Sequence, residues 1–163
     1  DQMTILKSMS LLKRDNILFK TNIIGSGNKY QELKNYIKNK NLKNEIKLLG
    51  YKKDAYRYMN YADLFILSSK YEGLPNVLME AQQLSSPIIS TNCPSGPSEI
   101  LMNGKLGNLY PVGNYKRLYR EVKNFYFNRK SLIKKSQLAK KYLKRFDTKN
   151  NCEKYFQLIN KYI

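Results

Sequence analysis

Apolar residues recur along this chain in two alternating rhythms. Met3, Leu6 and Met9, together with Ile5 and Leu12, stand at helical spacing and predict an amphipathic helix, which the polar Lys13-Arg14-Asp15-Asn16 ends. Ile17-Leu18-Phe19 and Ile23-Ile24 flank the more polar Lys20-Thr21-Asn22 and predict a strand running into a Gly25-Ser26-Gly27 turn. Tyr30, Leu33 and Ile37 give the next helix its buried stripe, residues 41–44 break it, and residues 46–49 form a short strand followed by Gly50-Tyr51-Lys52-Lys53. A short helix around Tyr56, Met59 and Asn60 delivers the chain into Leu64-Phe65-Ile66-Leu67, a bounded apolar run of strand length. Residues 87–90 form another buried strand, residues 91–97 a turn dense in proline and glycine, and residues 98–101 a single helical turn. A glycine-bounded strand over residues 104–110 follows, with Pro111-Val112-Gly113-Asn114 capping a helix from Tyr115. From Tyr115 to Ile163 only helix is predicted. Leu118, Val122, Phe125, Leu132 and Ile133 supply packing there, Lys134-Lys135 and Lys140-Lys141 solvated faces, and Tyr155, Phe156, Ile159 and Tyr162 an aromatic stripe. Strands alternating with helices at this spacing mean βαβ units, hence an α/β fold with a parallel sheet and a helical C-terminal tail.

Composition narrows the class. A chain of 163 residues suits one domain with a real core, and 42% hydrophobic residues exclude a disordered chain. No apolar run approaches the ~20 residues that cross a bilayer, and Asp1-Gln2-Met3 does not open a signal peptide. Cys93 and Cys152 stand too far apart in sequence for a metal knuckle or redox pair, so the cytoplasm is the expected compartment. The net charge of +18 passes the first test for a nucleic-acid binder. Most of it is lysine accompanied by asparagine, isoleucine and tyrosine, the residues of A/T-rich codons, and no nucleic-acid motif is present. A basic surface also suits an anionic cytoplasmic membrane face.

The candidate chemistry gathers at residues 64–80. The apolar strand turns polar at Ser68-Ser69-Lys70-Tyr71, Gly73 gives the loop its freedom, and Pro75 stands where the first position of a helix is expected. The amides of Leu74, Asn76 and Val77 then point out of the helix start unpaired, an arrangement that attracts phosphate. Val77, Ala81 and Leu84 share a face that packs on the sheet, and Asn76, Glu80 and Gln83 share a polar one. Glu72 and Glu80 bracket the helix start, Glu80 ~7.5 Å of rise along the helix. Carboxylates accept hydrogen bonds from vicinal hydroxyls, so a sugar, a diphosphate and a ribose in sequence would match: a nucleotide-sugar.

The stretch Glu72-Gly73-Leu74-Pro75-Asn76-Val77-Leu78-Met79-Glu80 resembles the Glu, seven residues, Glu signature of group 1 glycosyltransferases, the retaining GT-B enzymes of GT family 4. Cys93-Pro94-Ser95-Gly96-Pro97-Ser98-Glu99-Ile100-Leu101, then Asn103-Gly104 and Gly107, continue the family's pattern in order, so the resemblance covers nearly the whole chain. It implies a Rossmann-like parallel sheet flanked by helices, the C-terminal half of a GT-B glycosyltransferase. It also implies roles. Gly25 and Gly27 lie in the loop facing diphosphate and sugar, and Lys52 lies in the turn facing the nucleobase. Glu72 holds the donor sugar at the catalytic position, and Glu80 holds the ribose. Backbone groups around Gly73 and Leu74 hold the phosphates, with Pro75, Asn76 and Val77 completing the helix start. The implied reaction moves a sugar from a nucleoside diphosphate to an acceptor hydroxyl with retention, using no metal or other cofactor. The Cys93 segment resembles enzymes of bacterial surface polysaccharide and lipid-linked glycan synthesis, which favours UDP-sugars such as UDP-N-acetylhexosamines.

Two features of the family have no counterpart. Its C-terminal domain opens with a strand ending near an arginine, followed by a lysine, and this pair clamps the diphosphate. Asp1-Gln2-Met3-Thr4-Ile5-Leu6 resembles the helix after that lysine, which puts the clamp upstream. The family also uses a histidine from its N-terminal domain, and this chain has none. Residues 1–163 therefore read as a donor-binding domain slightly truncated at its N-terminus, without the acceptor-binding domain and inactive in isolation. Alternatives are a nucleotide-sugar epimerase of similar fold, whose catalytic carboxylates and histidines have no place here, and a non-enzymatic basic module for nucleic acid or anionic membrane.

Overall fold

A computed structural model describes residues 1–162. The expected helix out to Ile163 therefore lies outside the described residues at its last position. Helices and short strands alternate in the order α1 (Gln2–Arg14), β1 (Thr21–Ile24), α2 (Tyr30–Asn39), β2 (Ile46–Gly50), α3 (Ala55–Asn60), β3 (Phe65–Leu67), α4 (Asn76–Gln83), β4 (Ile88–Thr91), α5 (Pro97–Ile100), β5 (Asn108–Tyr110), α6 (Tyr115–Phe127) and α7 (Arg129–Tyr142). A 3₁₀ turn, Leu143–Phe146, then leads into α8 (Thr148–Asn160).

Every strand pairing is parallel, as the alternation predicts. The parallel strands are laddered in two groups, β1-β2 and β3-β4-β5. Backbone alternation shows what separates them. Thr21 and Gly25 donate to Glu45 and Gly50 at 2.8 and 2.9 Å, so the amides of Asn22 and Ile24 point to the opposite edge of β1. Phe65 likewise donates to Pro87 at 2.9 Å, so those of Leu64 and Ile66 point away from β4. Both edges are open.

Side chains rather than ladder bonds join the two sheets. On one face, Leu6, Met9 and Leu12 of α1, Leu33 and Ile37 of α2, and Leu118 and Phe125 of α6 pack with Ile23, Leu48, Leu64, Ile66 and Ile89. On the other, Met59, Leu78, Ala81, Ile100, Leu106 and Ala139 pack with Phe65, Leu67 and Ile88. Successive strand residues face opposite layers, which makes a three-layer α/β/α arrangement with β4 buried throughout.

Capping explains several helix starts. The Asp1 carboxylate accepts from the Thr4 amide and, at 2.9 Å, from its hydroxyl. Asp54, Asn114 and Asp147 accept from the amides of Arg57, Arg117 and Asn150 at 2.9–3.0 Å. Tertiary contacts adjust other expectations. The ordered strand begins only at Thr21, because that is where β2 supplies a ladder, and Leu18 is 83% exposed. Ile133 is exposed rather than packed. Lys135 is not merely solvated: its ammonium donates to the Gly104 carbonyl and Asn108 Oδ1 at 2.7 and 2.8 Å. The aromatic stripe of α8 is fully outside the core, with Tyr155 and Phe156 more than 65% exposed.

Candidate functional site

Strand β3 leaves its sheet at the buried Ser68, and residues 69–75 form the loop that opens α4. The turn after β4 supports this loop from behind. Thr91 donates its hydroxyl to the Ser69 carbonyl at 2.8 Å, and Ser95 donates to the Glu72 carbonyl at 2.8 Å. Gly96 approaches so closely that a Cβ there would lie 2.2 Å from the Gly73 oxygen and 2.5 Å from Pro75 Cδ. Its φ of +79° and that of Ser95, +59°, belong to the left-handed region. Tyr110 adds a tie from β5, donating its hydroxyl to the Leu67 carbonyl at 3.3 Å, and burial pushes its pKa up so that it stays a neutral donor.

The helix start differs in detail from the sequence reading. Pro75 is the N-cap rather than the first helical residue, because its ψ of 99° is extended while its ring is buried against the Gly96 turn. Its carbonyl takes the Leu78 amide at 3.0 Å. No side chain caps α4, and the amides of Leu74, Asn76 and Val77 have no protein acceptor among the described residues. The register of α4 shifts accordingly. Leu78, Ala81 and Gln82 are the buried face, whereas Val77 is 38% exposed beside Asn76 at the open helix start. Gln82 fits the core by donating to the Ile100 carbonyl at 3.1 Å.

Glu72 is half-buried and Glu80 exposed, and neither carboxylate has a hydrogen-bond or ion-pair partner among the described residues. Glu80 lines a cleft with Tyr56 of α3, Gln83 of α4, and Lys140, Lys144 and Asp147 at the end of α7 and beyond. The start of α1 also reaches this edge. The charges of Lys70 and Glu72 both act on the backbone nitrogen of Asp1.

The other predicted residues lie at the exits of β1 and β2. Gly25, at φ +128°, donates its amide to the Gly50 carbonyl at 2.9 Å, so the glycine turn after β1 sits beside the exit of β2. Gly27 accepts from the Tyr30 amide at 3.2 Å, and space is open around both glycines. Lys52 is half-buried and unpaired among the described residues. No hydrogen bond or ion pair links this group to Glu72, Gly73 or Glu80 among the described residues. Among the described residues, no cluster of three or more Cys, Asp or Glu gathers as metal ligands.

A family model described as glycosyl transferases group 1 matches residues 1–145. The chain belongs to this family. A curated relative from Campylobacter jejuni, named as an N-acetylgalactosamine-N,N'-diacetylbacillosaminyl-diphospho-undecaprenol 4-alpha-N-acetylgalactosaminyltransferase, is 30% identical over 143 residues, 88% of this chain and 38% of its own length. An uncharacterized glycosyltransferase of Methanocaldococcus jannaschii is 42% identical over 79 residues, 48% of this chain and 20% of its own. The crystal structure of Anabaena HepE in complex with UDP aligns with a TM-score of 0.87 at 18% identity, over 98% of this chain and 45% of that one. Staphylococcus aureus TarM aligns at 0.84 and 23% identity, over 98% and 32%. This chain thus spans less than half of each of these four proteins.

In this member of the group 1 family, the loop and helix start of residues 72–80 follow from their own glycine, proline and helix spacing. The supports at Thr91, Ser95 and Gly96 were not assigned from sequence, although the density of proline and glycine in residues 91–97 was the available signal. The neighbours of Glu80 at Lys140 and Lys144 had no local signal, since they come from more than 50 residues further along the chain.

Proposed function

We propose that residues 1–163 are the donor-binding domain of a retaining glycosyltransferase of GT family 4, which transfers a hexose-type sugar from a UDP-sugar to a polysaccharide or lipid-linked acceptor. The observation that carries this reading is the uncapped start of α4, with free amides at Leu74, Asn76 and Val77 between two unpartnered carboxylates. Helix-start amides and the positive end of the helix favour a phosphate there. Glu72 then holds the donor sugar and Glu80 the ribose. Negative charge grows on the leaving diphosphate in the transition state, and amides fixed in advance stabilise it. In this reading the amides act together with an upstream basic clamp, and no metal is called for. Two facts about similar proteins support the reading. The Anabaena structure holds UDP, and the Campylobacter relative is named as an N-acetylgalactosaminyltransferase acting on a diphospho-undecaprenol-linked glycan.

The open inner edges of β1 and β3 support an upstream strand between them, entering α1 beside Lys70 and Glu72. In this reading that strand brings the basic clamp, and an N-terminal domain brings the acceptor site. The charge of +18 suits peripheral attachment to an anionic cytoplasmic membrane face, and no described helix is long and apolar enough to cross a membrane. Titration of residues 1–163 with UDP and UDP-N-acetylglucosamine tests the reading. Weak binding of both is expected, with no sugar transfer, because missing charge-assisted bonds of about 1.5–3 kcal/mol each weaken affinity more than ten-fold. Transfer by this chain alone contradicts the domain assignment. Salt-sensitive binding to any polyanion without preference for the nucleotide would favour a basic binding module instead.

A further inference from the structure

The turn between β4 and α5 contacts the donor loop at more points than packing of two loops requires. The Ser95 hydroxyl shares its one proton between the Glu72 carbonyl at 2.8 Å and that of its neighbour Pro94 at 2.7 Å, and Thr91 donates to Ser69 at the other end of the same loop. Gly96 fills the space behind Gly73 and Pro75 with backbone alone, since any side chain would meet the Gly73 oxygen at 2.2 Å. Two consecutive left-handed residues, Ser95 and Gly96, are needed to bring the turn to that distance. Ser95 holds this conformation at a cost that Gly96, lacking a Cβ, does not bear. These contacts act on the backbone that carries Glu72 and delivers Pro75 to the N-cap of α4.

We propose that Ser95 and Gly96 are positioning residues of the donor site, a role that rests on the donor-binding reading above: they set where Glu72 and the start of α4 stand relative to the sugar and diphosphate. Ser95 fixes the Glu72 carbonyl, and through it the side chain that meets the sugar. Gly96 fixes Gly73 and Pro75, and through them the amides that meet the phosphates. The two therefore differ in which part of the ligand they govern. Loss of the Ser95 bond weakens a UDP-sugar more than UDP. Loss of the Gly96 approach weakens both.

The test compares Ser95→Ala, Ser95→Asn and Gly96→Ala with the parent chain, titrating UDP and UDP-N-acetylglucosamine well below every melting midpoint. Ser95→Ala is expected to weaken the sugar nucleotide about three- to ten-fold, the loss of one hydrogen bond, with a smaller change for UDP. Asparagine tolerates the left-handed region and keeps a donor, so Ser95→Asn restores most of that affinity. Gly96→Ala weakens both ligands more than about ten-fold while circular dichroism stays that of the parent. If Gly96→Ala does not fold, the Ser95 pair decides. Variants that melt earlier yet bind as the parent does reduce the turn to a structural support and overturn the proposal. A parent that binds neither ligand overturns the donor reading itself, and this inference with it.

Discussion

Glu72 and Glu80 have no protein partner among the described residues, so their proposed roles separate by choice of ligand. UDP and a UDP-sugar share the ribose, and Glu80→Ala should weaken both by similar amounts. Glu72→Ala should weaken only the UDP-sugar, leaving UDP unchanged or slightly tighter once a negative charge near the phosphates is gone. One hydrogen bond to a charged group is worth ~1.5–3 kcal/mol, which titration calorimetry resolves. Equal weakening of UDP by both substitutions refutes the division. At this scale the sequence was readable where chemistry is local. A glycine, a proline and two glutamates within nine residues constrain one another through a single turn. The bond from Ser95 to Glu72 spans 23 residues, and only a folded sheet brings its ends together.

Elements are held to one another by a few polar ties whose pH dependence can be signed. The Asp15 carboxylate, just after α1, accepts from the Lys123 ammonium of α6 at 2.6 Å and from the Tyr119 hydroxyl. The bond from Lys123, then that from Tyr119, lowers the Asp15 pKa, and the same bond with Asp15 raises that of Lys123. Asp15 therefore contributes stability above its ordinary value of 3.8, and this is lost as pH falls through its depressed folded value. Lys123 contributes fully below its ordinary 10.5, and that is lost as pH rises through its raised value. Asp15→Asn should accordingly lower the melting temperature near neutral pH and converge with the parent as the pH falls below the ordinary carboxyl value. A difference that persists unchanged in acid would show that the tie does not form. Helix and strand identities followed from periodicity, but faces did not always. The buried stripe of α4 includes Gln82, whose place in the core depends on the Ile100 carbonyl eighteen residues away. A hydrophobic pattern cannot report a polar residue whose amide nitrogen is held by a distant carbonyl, here with the side-chain oxygen left unpartnered among the described residues.

For the molecule as a whole, the two parallel sheets share one helical layer without sharing a hydrogen-bond ladder. Alternation predicted parallel pairing correctly, yet it could not say which strands lie side by side, because that order is set by crossovers and not by local pattern. Hydrogen exchange tests the arrangement directly. The amides of Asn22, Ile24, Leu64 and Ile66 should exchange faster than those of Ile89 and Ser90, whose strand is paired on both sides. Equal protection would mean that the inner edges are closed. The charge is uneven at this scale as well. Residues 129–162 hold eleven Lys and Arg against two acids, on helices that end in an uncovered aromatic stripe.

That stripe carries a thiol. Cys152 is exposed on α8, one turn before Tyr155, whereas Cys93 is buried under the turn that backs the donor loop. A thiol-directed dye added to the folded protein consequently attaches at a single address without any engineered cysteine. Its emission colour then reports whether the last helix is bathed in water or covered by lipid or protein.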